Sequence, residues 1–265
     1  MDFSRLIQFL LLFDAARVKD TLAETKLFFI VGLGRSGTAF LSHLLDKVNG
    51  IDVYHETPND RNALIDAYRD PMMARKYLTD YRGRLIAARI IESRNPIYGE
   101  VNSYLRYHVE ALEELWNPII MHLARDGRAV VRSAMNRGTF AQADRDHSGR
   151  LEPHPNNFWY EKWPEMDRFS RVCWYWADTN QYLLKLNIPL VRFEDVISSY
   201  NEFAEQILQP LSVELSSSVW EENVRKPKNV SETQQFPAWN HWTDRQKQIF
   251  ESICGDVMFK LGYTF

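Results

Sequence analysis

Apolar positions recur along this chain in two periods, and the two alternate. Residues 27–31, "LFFIV", form an unbroken apolar run closed by glycine, the pattern of a strand buried on both faces. After a short loop, Phe40, Leu41, Leu44, Leu45 and Val48 follow at helical spacing until Gly50 interrupts them. Ile51–Tyr54 reads as a second strand, Ile119–Ala124 as a third, and "IPLV" at 188–191 as a fourth. Residues 60–95 alternate charged and apolar positions in the manner of helices outside a sheet, and 168–187 predict an aromatic-rich helix. Near the C-terminus, Thr243 is placed as an N-cap ahead of Ile249, Phe250, Ile253, Val257, Met258 and Leu261 on one helical face. Leu6–Phe13 predicts a short amphipathic helix packed on the body.

Strands separated by helices pair in parallel, so the expected fold is α/β, a central parallel sheet flanked by helices. One domain is expected over residues 1–265, with a helical extension at 1–25 and a long polar and aromatic excursion at 138–167. Ligands in such folds sit beyond the carboxyl ends of the strands. Two features fall there: "GLGRSGT" (32–38) after the first strand and "RDGR" (125–128) after the third.

Composition narrows the field. A chain of 265 residues can bury a full core without disulfide or metal staples. Its net charge of −3 lacks the basic excess that a general nucleic-acid binder needs, so any basic site is local. Cys173 and Cys254, the only cysteines, have no C-x-x-C spacing and suit a reduced, cytoplasmic setting. The run Leu6–Phe13 is too short to span a bilayer and lacks the flanks of a signal peptide.

Gly32, Gly34 and Gly37 permit a tight turn that aims successive N–H groups inward. The helix starting near Gly37 adds its positive end, and the whole makes an anion site. Gly32 and Gly37 have the spacing of the nucleoside-triphosphatase pattern, but Thr38 stands where that pattern carries lysine. The loop's cation is Arg35, suited to contact the oxygen between a transferred group and its leaving group.

"GRSGT" after a hydrophobic strand resembles the 5′-phosphosulfate loop of sulfotransferases that use 3′-phosphoadenosine-5′-phosphosulfate (PAPS). "LARDGRAVVRS" (123–133) resembles that family's 3′-phosphate element, an arginine at a strand end followed eight positions later by a helix serine. "RDGRA" is similar to the tyrosylprotein branch, while "GRSGT" suits the carbohydrate and bacterial branches. The matching stretches are 27–60, 119–137 and 188–200. The resemblance implies a three-layer fold of the P-loop type, PAPS as cofactor, 3′,5′-adenosine bisphosphate as product and no required metal. It implies that Gly34, Arg35, Ser36, Gly37, Thr38 and Ala39 hold the phosphosulfate, and that Arg125 and Ser133 hold the 3′-phosphate. Arg125 also has a purely structural reading, as a partner of Asp126 or Glu194. Phe40 stands where an aromatic flanks the adenine, and equally fits its helix's core stripe. Arg225, Lys226 and Lys228 in "VRKPKN" match a basic loop that closes over the nucleotide in some members, or form a solvent-exposed charge run.

Sulfuryl transfer to a hydroxyl needs a base. Several branches take it from a glutamate just after the second strand, where "VYHETPND" places Glu56. His55 is its rival, and strand alternation predicts that only one of the two reaches the site. Glu100 in "YGEVNSY" is a third candidate. Phe158, Trp159, Tyr160 and Trp163 are expected on the acceptor side, with Trp174 and Trp176 in core or pocket. The acceptor is a small-molecule, carbohydrate or lipid-like hydroxyl; monomer and homodimer stay open. Two other readings fit the same residues: a kinase-like phosphoryl transferase using ATP and Mg²⁺, and a non-catalytic nucleotide-binding relative.

Overall fold

Five parallel strands in the order β2-β3-β1-β4-β5 form the sheet of the computed structural model, which describes residues 14–141, 151–226 and 236–265. They are β1 (Lys26–Gly32), β2 (Ile51–Tyr54), β3 (Ile97–Val101), β4 (Ile119–Ala124) and β5 (Leu190–Arg192). The apolar run of β1 lies between β3 and β4, with Phe28 in register with Gly99 on one side and Ile119 on the other.

Side-chain alternation along β1 divides the core. Leu27, Phe29 and Val31 face α1 (Ala15–Glu24), α3 (Asp60–Arg69), α4 (Pro71–Tyr77), α5 (Gly83–Ser93) and α6 (Val109–Trp116), while α2 (Thr38–Leu45) lies on the opposite face. Phe28 and Ile30 pack against Leu41, Leu44 and Leu45 of α2. That second face also holds Val196 of a helix at Phe193–Ser198 and Trp220 of one at Ser217–Val224. Helices on both faces of one sheet give three layers, as expected. Beyond β4, α7 (Gly127–Asn136) and α8 (Arg168–Lys185) pack with the C-terminal helix Asp244–Lys260 through Val131, Trp176 and Phe250. Burying each such apolar side chain stabilises by about 1.5–3 kcal/mol.

The hydrophobic pattern foretold four strands; the structure adds β3, between β2 and β1. Its run "IYGEV" is broken by Gly99 and Glu100, which hid it. Both have packing reasons. A Cβ at Gly99 would lie 2.0 Å from the Phe28 ring on β1, and Glu100 is fully buried among polar partners described below. Thr243 does cap the last helix, in a reciprocal capping box with Gln246. Cys173 and Cys254 are buried free thiols, with Cys254 Sγ 3.4 Å from the Cys173 carbonyl oxygen. Among the described residues no helix is long and apolar enough to cross a membrane. The expected helix at Leu6–Phe13, residues 142–150 of the excursion, and Lys228 lie outside the described residues.

Candidate active site

All five strands end at one edge of the sheet, and each delivers a polar segment there. After β1 the chain turns through Gly34–Gly37, with Ser36 N–H donating to the Leu33 carbonyl at 3.1 Å. Arg35 holds a left-handed φ of 77° and Gly37 one of 103°. At Gly37 a side chain is excluded twice over: a Cβ would lie 2.2 Å from the Phe193 ring. Gly37 is also the N-cap of α2 and offers no side-chain acceptor, so the first N–H groups of that helix point outward without intrahelical partners. Ser36 Oγ is buried beside them with no hydrogen-bond partner.

The element after β4 meets this loop directly. Arg35 Nε donates to Ser133 Oγ at 2.9 Å, and Arg125 Nη1 donates to the Arg35 carbonyl at 3.2 Å. The Arg125 guanidinium lies 4.8 Å from the centre of the Phe193 ring, and its Nε is buried without a partner. The alternative reading of Arg125, a structural ion pair with Asp126 or Glu194, is not what forms. Asp126 instead caps α7 and pairs with Arg128 at 2.6 Å, while Glu194 accepts from the Asp126 N–H and from the Tyr263 hydroxyl. Burial is the largest influence on Arg125 and lowers its pKa against the opposing fields of Glu194 and Asp126. The guanidinium is thus a largely desolvated charge with an open donor.

Beyond β2 and β3 lie the carboxylate and its support. Ser103 Oγ donates to Glu56 Oε1, and His55 Nε2 lies 3.3 Å from Thr38 Oγ1. Gly34, Arg35, Thr38, His55, Glu56 and Ser103 border one cavity of about 320 Å³. Both His55 and Glu56 reach it, contrary to the alternation argument, because β2 stops at Tyr54 and neither residue is in a strand. Ser103 is a site residue that sequence reasoning missed; its only signal was the Asn102 that caps the turn after an unrecognised strand.

Beneath this edge, Arg82 reaches both oxygens of Glu100 at 2.7 Å through Nη2 and lies 3.0 Å from Asp60 Oδ1 through Nε, an ion-pair contact rather than an aligned hydrogen bond. Asn102 Nδ2 joins Asp60 and Glu100 at 2.8 and 2.9 Å, and the hydroxyls of Tyr77 and Tyr98 donate into the same pair of carboxylates. Burial pushes the Asp60 pKa up, but Arg82 and the hydrogen bonds from Tyr77 and Asn102 win and hold it below the usual value. The network grips both neighbours of the site: Thr57 N–H donates to Asp60, and Asn102 immediately precedes Ser103.

A family model described as "Sulfotransferase family" matches residues 28–217. The chain belongs to the sulfotransferase family. Among solved structures, sulfotransferase STF9 from Mycobacterium avium is similar in fold, with a TM-score of 0.55 at 13% identity over 94% of this chain and 80% of that one. The sulfotransferase domain from the curacin biosynthetic pathway aligns over 91% of this chain and 99% of its own, at 12% identity and a TM-score of 0.48. Comparison with curated protein sequences found no match.

Not every expected residue of this sulfotransferase reaches the loop. Glu100 does not border the cavity; it is the fully buried partner of Arg82, so as a base it would have to break that pair. Arg225 and Lys226 form exposed pairs with Glu221 and Glu222, one helical turn back, and neither borders the cavity. Phe40 packs edge-on against Phe193 at 5.8 Å, as part of the core beside α2. The aromatic excursion divides. Phe158 and Trp159 border a separate cavity with Trp174, Trp163 is buried against Trp174, and Tyr160 is exposed. Trp176 is core and donates to the Arg125 carbonyl at 3.2 Å. The loop cavity that Glu56 borders is lined instead by Leu64, Ile65, Leu151, Val172 and Tyr175. Among the described residues, no group of three or more His, Cys, Asp or Glu could hold a metal ion.

Proposed function

We propose that this sulfotransferase transfers a sulfuryl group from PAPS to the hydroxyl of a small-molecule, carbohydrate or lipid-like acceptor. The observation that carries this reading is the meeting of the two anion elements, in which Arg35 bonds Ser133 while Arg125 bonds the Arg35 carbonyl.

The residues present fit the cofactor. Two buried polar atoms, Ser36 Oγ and Arg125 Nε, lack partners of their own, and such groups are costly to leave unpaired. Ser36, the amides of Gly34–Thr38 and the Arg35 guanidinium would hold the phosphosulfate end. Arg125 would hold the 3′-phosphate from one side. Ser133 would hold it from the other, since its hydroxyl accepts from Arg35 and keeps its own proton to donate. Bound there, PAPS supplies the sulfuryl group.

The chain's own residues would do the rest. Glu56 takes the proton of the acceptor hydroxyl as the new bond to sulfur forms. Its Oε1 is engaged by Ser103, which fixes the carboxylate plane and leaves Oε2 for the acceptor. Arg35 meets the negative charge that develops on the departing phosphate oxygen. His55, 3.3 Å from Thr38 Oγ1 and bordering the same cavity, is the alternative base.

Calorimetric titration with 3′,5′-adenosine bisphosphate, beside 5′-ADP and ATP with Mg²⁺, tests the cofactor. Binding that needs the 3′ group and weakens at least about tenfold in Arg125→Ala is expected, from losing a buried charge-assisted contact. Preference for ATP with Mg²⁺, or indifference to Arg125→Ala, overturns the reading.

A further inference from the structure

Arg106 is 1% exposed and borders the loop cavity, yet no described carboxylate pairs with it. Its Nη1 donates to the Ser103 carbonyl at 2.6 Å and its Nη2 to the Tyr175 hydroxyl at 2.7 Å, and Nε has no partner. The rings of Tyr107 and Tyr175 lie 5.1 and 5.4 Å from the guanidinium carbon. Asp178 feels this charge but is hydrogen-bonded to Asn157 beside a separate cavity and makes no ion pair with Arg106. A buried cation without a counter-ion is unusual, because its desolvation is not offset by an opposite charge.

The same cavity carries a second arginine that the transfer chemistry does not use, Arg137 on its exposed rim. Among the described lining residues, Arg35, Arg106 and Arg137 face a single carboxylate, Glu56. A cleft with low-dielectric walls and one dominant sign of charge concentrates its field on whatever enters. Arg35 belongs to the loop. The other two, with the Tyr175 hydroxyl that Arg106 holds and whose residue also borders the cavity, are left to act on the acceptor.

We propose that the acceptor is anionic: an alcohol or phenol that carries a carboxylate or similar oxyanion, drawn in by Arg137 and held in the field of Arg106. Apolar contacts from Leu64, Ile65 and Val172 suit the hydrocarbon or ring between its hydroxyl and its charge. This inference rests on the acceptor lying in the loop cavity, as the proposed transfer requires.

The test compares two phenols of the same shape, 4-hydroxyphenylacetate and its neutral amide, by calorimetric binding to the full chain with and without saturating 3′,5′-adenosine bisphosphate. The carboxylate should bind about tenfold more tightly than the amide, the size expected for one well-placed charge contact. Arg137→Gln should cut that preference several-fold without changing binding of the amide, and Arg106→Met, where it folds, should abolish it. Equal binding of the two phenols, binding of neither, or a full preference surviving in Arg137→Gln overturns the proposal. A protein that ignores the bisphosphate but still prefers the carboxylate would instead strike at the cofactor reading alone.

Discussion

Two groups of buried charge lie at the same edge of the sheet and are finished differently. Around Arg82, two carboxylates pair with one guanidinium, and two tyrosine hydroxyls and an amide donate to those carboxylates, so the partners are supplied from within the chain. Around Arg125, the protein supplies a carbonyl and an aromatic face, with no carboxylate among the described residues in ion-pair contact. The first arrangement is architecture: it fixes the turns that carry Glu56 and Ser103. The second has room for a charge that the chain does not provide. The lesson is that burial of an arginine says little by itself; what separates the two is whether the chain supplies the opposite charge, as Asp60 and Glu100 do for Arg82.

Breaking the closed network should have the largest effect. Arg82→Met leaves Asp60 and Glu100 buried without their cation, and an expected loss of about 3–5 kcal/mol in stability is readable as a fall in the urea midpoint. The equivalent loss at Arg125→Ala should be far smaller, and equal losses at the two sites would erase the distinction.

Acid probes the same contrast. His108 packs edge-on to Tyr77 beside the network, and neither ring nitrogen has a partner. Burial pushes its pKa down to about 4, against the pull of Asp60. Between pH 6.5 and 4 the unfolded chain protonates this histidine and the folded chain does not, so stability falls as pH drops through that window. The fully developed loss is about 3 kcal/mol, and His108→Leu should remove it while leaving stability at pH 7 unharmed. Urea midpoints at pH 7 and 4.5 decide; an unchanged acid sensitivity in the variant would refute the assignment.

On the open side, Gly37→Ala should cost about 2 kcal/mol through its positive φ and the Phe193 collision, and should weaken bisphosphate binding as well. Smallest of all, Arg225→Ala and Lys226→Ala remove exposed pairs, so the urea midpoint should barely move and nucleotide affinity should stay unaltered. A marked drop in affinity would show that this segment does approach the nucleotide.

The open region was far more legible in the sequence than the closed one. Gly34, Gly37 and Arg35 lie in a glycine turn that is visible as local letters, and Arg125 and Ser133 are found through the resemblance of 123–133 to the family's 3′-phosphate element; the structure brings the two segments together. Ser103, Arg106 and Asn102 follow β3, and β3 escaped notice because its glycine makes room for Phe28 and its glutamate answers Arg82, a residue 18 positions away. Such partners are chosen by tertiary contact, which no local period records. Strand alternation misjudges His55 and Glu56 for the converse reason: both lie beyond Tyr54, where the strand ends.

The hydrogen bonds from Arg35 to Ser133 and from Arg125 back to Arg35 close a small circuit between segments 90 and more residues apart. Neither half can therefore be altered in isolation. In a double-mutant cycle, Arg125→Ala and Ser133→Ala should fall short of additivity, since the first change already loosens the loop whose arginine the second one frees. On the proposed reading, the two ends of one ligand would meet segments that already touch each other, so loosening either segment should weaken the grip on both ends.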